Sequence, residues 1–198
     1  MIDFVAIFIT FFAVIDPIGT VPVFIAVTQK FDAARQRQIA LLATLIAAGV
    51  LLFFIVAGEL ILTAMSISLP AFQIAGGIVL FLFALSMIFG DSKPEEELQM
   101  IESHRETAVF PLAVPSIAGP GAMLTAVLLT EKSRFNIAEQ AQTAAMMLLV
   151  LLVTYLLMLG AGRINSLIGR GGASIVSRVM GIILASVATT NVLNGIKL

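Results

Sequence analysis

Five stretches of this chain, 39–58, 67–89, 107–130, 140–162 and 179–196, contain no Asp, Glu, Lys or Arg, and a sixth, 4–29, contains one such residue, Asp16. Each is near the ~20 residues needed to cross a hydrocarbon core about 30 Å thick. Together they take up nearly all of the 198 residues, so no room is left for a soluble domain. Charged residues make up 12% of the chain, against about 25% in soluble domains. The fold class that follows is an all-α polytopic membrane protein with six transmembrane spans.

The opening "MIDFVAIFITFF" has no basic leader and no small-residue cleavage site, so it reads as the first span rather than a signal peptide. The chain has no cysteine, which excludes disulfides and thiolate metal sites. A net charge of −1 without a basic patch gives no reason to expect nucleic acid. Loop charges set the orientation. Lys30, Arg35, Arg37, Lys93, Arg105, Arg163, Arg170 and Arg178 fall in the first, third and fifth loops, and Lys132, Arg134 and Lys197 fall opposite. Eight against three predicts that both termini lie outside.

The one long polar segment, 91–106, holds six acids and the single histidine, His104, and reads as a solvated cytoplasmic linker between two halves, 1–90 and 107–198. The halves echo each other. Pro17 precedes Gly76 by 59 residues and Pro120 precedes Gly181 by 61, with Gly58 and Gly162 near the ends of the intervening spans. Three spans per half is an odd number, so the second half enters the membrane inverted. Inverted repeats with a Gly/Pro-interrupted span in corresponding places are the pattern of secondary transporters.

Those interrupted spans are the first, "AVIDPIGTVPVF", and the fourth, "FPLAVPSIAGPGAML". Pro17 removes a donor and pushes residue 16 out of α geometry, while Pro22 falls in the first turn of the second piece. Broken backbone at that depth is tolerated only where protein or water satisfies it, so both breaks are expected to face inward, against each other. A half-helix starting near the midplane points unpaired N–H groups at a carboxylate. One ending there offers bare carbonyls to an ammonium group or cation. A zwitterionic amino acid matches such a pair of ends, and Gly119 and Gly121 let the backbone approach a small ligand. The candidate substrate-binding residues are therefore Asp16, Pro17, Ile18, Gly19 and Thr20 with Ser116, Ile117, Ala118, Gly119, Pro120 and Gly121.

Asp16 is the sharpest of these, because a mid-membrane carboxylate is costly and marks function by default. It can serve substrate, a coupling cation or a proton, or cap the second half-helix. Glu59, Gln73 and Asn191 are secondary candidates. Glu59 falls some 22 residues after Arg37, near the outer boundary. Gly76, Gly77 and Gly181 read as packing positions.

Asp16-Pro17-x-Gly19-x-x-Pro22-x-Phe24, with Pro111-Leu112-Ala113-x-Pro115-x-Ile117-Ala118-Gly119-Pro120, resembles the MarC family of six-span inner-membrane proteins. "AGE" at 57–59 and "AGG" at 75–77 resemble it too, so the likeness covers essentially the whole chain. It implies transport of small neutral amino acids, chiefly glycine and alanine, across the cytoplasmic membrane. The family's older label, multiple antibiotic resistance, implies export of drugs. A passive small-solute channel is the competing class, although charged or carbonyl rings for a filter are missing. No cofactor is expected, coupling is open between a proton, a sodium ion and neither, and six spans fit a monomer or a homo-oligomer. An enzyme is not expected, since Asp16 stands without a second mid-membrane acid.

Overall fold

The computed structural model describes residues 3–89, 104–132 and 134–197. The described residues are helices joined by short turns, with no strand among them. In order, the helices are α1 (Phe4–Ile15), α2 (Pro17–Thr28), α3 (Ala33–Ala64), α4 (Leu69–Phe89), α5 (Pro120–Leu128), α6 (Ile137–Leu159) and α7 (Ala161–Ile196). A helical turn, His104–Thr107, leads into an irregularly wound segment, Ala108–Ile117, ahead of α5. Most of the expected linker, 91–103, lies outside the described residues, and its last three residues form part of that turn.

Five stretches are long and apolar enough to cross a membrane, and the pair 104–117 plus α5 makes a sixth. Their starts are written in the sequence. Asp3 accepts from the Val5 and Ala6 amides at 3.0 Å and opens α1. Asp32 accepts from the Arg35 amide at 2.8 Å and opens α3. Asn136 and Glu139 exchange backbone and side-chain hydrogen bonds at the head of α6. The buried hydroxyls of Thr28, Thr130 and Thr154 donate to the carbonyl four residues back, so burying these three strands no donor.

Two boundaries differ from the sequence reading. The expected fifth loop, around Arg163, Arg170 and Arg178, is not a loop: α7 runs unbroken from Ala161 to Ile196. Charges mark where a chain leaves the hydrocarbon, but a helix satisfies its own backbone on either side of that boundary. The second difference is register. Of the glycines picked out for their spacing, Gly181 packs across the same helix pair as Gly77, whereas Gly76 does not. A Cβ on Gly77 would stand 3.0 Å from the carbonyl oxygen of Ala188, and one on Gly181 would stand 3.0 Å from that of Ala84. The two contacts are reciprocal and bring α4 and α7 together antiparallel, in the close approach that small residues permit. Gly76 instead faces Leu124 of α5.

The core is built from Phe11 and Ile15 of α1, Ile39 and Leu51 of α3, Leu80 of α4, Leu112 and Ile117 of the wound segment, Met147 and Leu151 of α6, and Leu184 of α7. Large apolar side chains such as Val56, Leu82, Leu152 and Ile182 point outward, where hydrocarbon is the solvent. The interrupted helices sit side by side within this frame. α1 packs against α5, and α2 against the wound segment.

Candidate functional site

At the first interruption α1 ends where the Asp16 amide donates to the Phe12 carbonyl at 3.1 Å. Asp16 itself is left-handed, with φ 49° and ψ 67°, a region that Asp tolerates better than most residues because its short polar side chain bonds locally. Pro17 then occupies the first position of α2, where a missing N–H costs nothing. The Asp16 Oδ1 accepts from the Gly19 amide at 3.0 Å, and its carbonyl accepts from both the amide and the hydroxyl of Thr20 at 3.0 Å. A side chain on Gly19 would run into the Asp16 carboxylate, so glycine here keeps the cap in place. Asp16 is 5% exposed and Thr20 1% exposed. Twelve residues of helix on each side put Asp16 about 18 Å from either end, at 1.5 Å per residue.

The second interruption is broader. Phe110 (φ −129°, ψ 131°) and Val114 (φ −132°, ψ 125°) are extended, as residues before proline tend to be. The peptide bonds to Pro111 and Pro115 are cis. The Ala118 amide closes a wide turn onto the Ala113 carbonyl at 2.8 Å, and the axis then bends by 57° into α5. Gly119 is the residue before α5 and Pro120 its first. A Cβ on Gly119 would lie 2.8 Å from the Pro115 carbonyl oxygen, so only glycine fits beside that fixed backbone atom. No side chain caps α5. Its first intrahelical bond is Met123 N–H to Gly119 carbonyl, 3.0 Å, which leaves the Gly121 and Ala122 amides at the head of the helix without a side-chain acceptor.

The interruptions are thus alike in layout and opposite in chemistry. Each is a short run into Pro at the first position of a new helix, but one carries its own carboxylate and the other has none. Of the expected site residues, Asp16, Pro17, Thr20, Ile117, Ala118, Gly119 and Gly121 are buried, Ile18, Gly19 and Ser116 are half-buried, and Pro120 is exposed. The contacts of α1 with α5 and of α2 with the wound segment bring the two sets alongside each other.

The secondary candidates lie elsewhere. Glu59 Oε2 accepts from the Lys132 amide at 2.9 Å, beyond the C-terminal end of α5 and so at the opposite end of that helix from Gly119. Gln73 on α4 and Asn191 on α7 are half-buried, outside both interruptions. A shallow groove of about 390 Å³, lined by Ile88, Ile182, Ala185, Ser186 and Thr189, touches no residue of either interruption. No group of His, Asp or Glu able to hold a metal ion occurs among the described residues.

Sequence reasoning passed over two features. Thr143 is 1% exposed and its hydroxyl has no hydrogen-bond partner. The heads of α3 and α6 also match in detail. The Gln36 amide donates to the Phe31 carbonyl at 3.1 Å and that of Gln140 to the Phe135 carbonyl at 2.9 Å, both pairs separated by 104 residues (140 − 36 and 135 − 31). The signal was there to read, in "KFDAARQRQIA" at 30–40 against "RFNIAEQAQTA" at 134–144.

The described helices, apolar on their outer faces and with two interrupted crossings held inside the bundle, define a multi-pass α-helical integral membrane protein. The profile of the MarC family of integral membrane proteins matches residues 1–198, and the chain belongs to that family. It is 36% identical over 197 residues to a UPF0056 membrane protein of Methanocaldococcus jannaschii, covering 98% of this chain and 96% of the relative. It is 34% identical over 203 residues to one of Archaeoglobus fulgidus, covering 98% and 92%. A third, of Aquifex aeolicus, is 32% identical over 200 residues, covering 98% and 92%. No solved structure matches the chain.

Proposed function

We infer that this protein is a secondary transporter that moves small neutral amino acids, glycine and alanine among them, across the cytoplasmic membrane by alternating access. The observation that carries the reading is the pairing of two interrupted helices, one headed by a buried carboxylate and the other by bare amides. Asp16 has spent Oδ1 on the Gly19 amide, while Oδ2 makes no hydrogen bond among the described residues and is available to an ammonium group. The last carbonyls of α1 add to that negative end. The Gly121 and Ala122 amides form a positive end for a carboxylate. The space a Cβ would take at Gly119 and Gly121 is filled by the Pro115 carbonyl oxygen and by Leu80, so these glycines serve close packing, and the reading of a small solute rests on the two opposite charges.

Alternating access is supported by the matched architecture. The 104-residue register relates Asp32 to Asn136, Gln36 to Gln140, Gly77 to Gly181 and Ala84 to Ala188, and three crossings per half make the second half run inverted. The loop charges favour a topology with both termini outside. Coupling to a proton or a sodium ion is compatible with the free carboxylate oxygen of Asp16.

Uptake of labelled glycine or alanine into proteoliposomes tests this. The expected result is saturable uptake with stimulation by unlabelled amino acid on the other side, lost in Asp16→Ala and in Gly121→Leu. A flux without counterflow would make the protein a channel, and unchanged uptake in both variants would remove the site.

A further inference from the structure

Residues 57–59 and 161–163 read "AGE" and "AGR" and stand 104 apart, in the register that relates the two halves. Their surroundings differ sharply. Gly58 is buried, and a Cβ there would lie 2.5 Å from Val127 Cγ2. α3 therefore has a notch that takes a side chain of α5. One residue on, Glu59 Oε2 accepts from the amide of Lys132 at 2.9 Å, just past the end of α5. The C-terminal end of α5 is held at two points, one steric and one polar. Gly162, the counterpart of Gly58, is exposed, and among the described residues nothing lies within 4 Å of where its Cβ would point.

Glycine weakens a helix and is kept where a neighbour must come close. At Gly58 the neighbour is present, and at Gly162 none is found among the described residues. The helix that stands to Gly162 as α5 stands to Gly58 is α2, whose residues Phe24 and Ile25 correspond to Val127 when α2 and α5 are aligned from their leading prolines or from Thr28 and Thr130. Arg163 has only donors where Glu59 has only acceptors, which suits the carbonyls at the C-terminal end of α2.

We propose that 57–59 and 161–163 are the two alternating gates of this protein, and that the structure is the state in which the first is shut on α5 and the second stands open from α2. The proposal rests on the reading of the chain as a transporter built from inverted halves. In the opposite state Gly162 receives α2 at Phe24–Ile25, and Gly58 releases Val127. The two contacts exclude each other, so weakening one populates the other.

The chain has no cysteine of its own, so paired cysteines report on each gate directly. In proteoliposomes, Gly58→Cys with Val127→Cys is expected to cross-link readily, and Gly162→Cys with Ile25→Cys slowly. Adding Gly58→Ala to the second pair forces Val127 away and should speed its cross-linking several-fold. Adding Val127→Ala as well reopens the notch and should return the rate to its starting value. Cross-linking of the second pair that never occurs, or that Gly58→Ala leaves unchanged while the first pair still forms, overturns the proposal. These readouts need no substrate. If they come out as expected while glycine and alanine are not transported, the gates stand and only the assignment of solute falls.

Discussion

At Asp16 the chain leaves helical geometry for a single residue and resumes at once, so that Phe4–Thr28 still forms one crossing of 25 residues. Between Phe110 and Gly119 it takes ten residues, two extended positions and a bend of 57° to do the same thing. The first interruption is held by its own side chain, the carboxylate that closes over Gly19. The second is held by what surrounds it, with the Pro115 carbonyl pressed on Gly119 and Leu80 of α4 pressed on Gly121. A break that caps itself can stay straight. One with no cap depends on packing, and it leaves amides for something else to bind.

That difference predicts unequal tolerance. Gly119→Val would drive a branched side chain into a backbone oxygen that has nowhere to go, and the expected loss is about 3 kcal/mol. It should appear as a collapse in the thermal stability of the detergent-solubilised protein. If Gly119→Val is as stable as the parent, the second interruption is not held by its surroundings and the contrast fails.

The two roles of Asp16 separate next. Asp16→Asn keeps an excellent cap, so stability should hold, while Asp16→Ala loses about 1 kcal/mol. Amino-acid uptake should fall about tenfold or more, worth ~1.4 kcal/mol, in both variants, because both lack the free carboxylate oxygen. Uptake that survives in Asp16→Asn would make Asp16 a cap and nothing further, and would leave the two interruptions chemically alike.

How much of this was legible beforehand follows from which forces are local. The charge-free runs gave the crossings because burial in hydrocarbon is a property of a stretch, readable without its neighbours. Pro17 and Pro120 gave the sites of interruption because proline acts on its own backbone and the residue before it. Asp16 as both cap and intramembrane carboxylate was likewise readable, since a cap reaches only three residues. What sequence could not supply was anything decided by a distant partner. That Gly77 and Gly181 pack across one helix pair depends on the carbonyls of Ala84 and Ala188. That Glu59 ties down the Lys132 amide depends on residues 73 apart. The continuity of α7 past its arginines is not legible for a simpler reason: basic residues mark the membrane boundary, which need not be the helix boundary.

A smaller effect is expected at Gly19. Its Cβ would meet only the Asp16 carboxylate, which can swing aside, so Gly19→Ala should cost less than 1 kcal/mol, roughly the lost cap hydrogen bond. The swing would also reposition Oδ2. Uptake should therefore drop more than stability does, and a Gly19→Ala variant that loses stability as heavily as Gly119→Val would erase the distinction between a mobile and a fixed obstacle.

α3 and α6 differ at a place neither interruption touches. Thr143 of α6 stands 104 residues after Ile39 of α3 (143 − 39 = 104), the same offset that separates Gln36 from Gln140, and both are almost wholly buried. The buried hydroxyls of Thr20, Thr28, Thr130 and Thr154 donate to the carbonyl a turn back, but that of Thr143 has no partner among the described residues. A stranded hydroxyl is a standing penalty, and an apolar group of the same shape removes it. Thr143→Val should therefore raise stability by about 0.5 kcal/mol, visible as a small upward shift in Tm. If the variant instead keeps its stability but loses uptake, the hydroxyl is serving a water or a solute, and α6 carries a polar group for transport where α3 carries isoleucine.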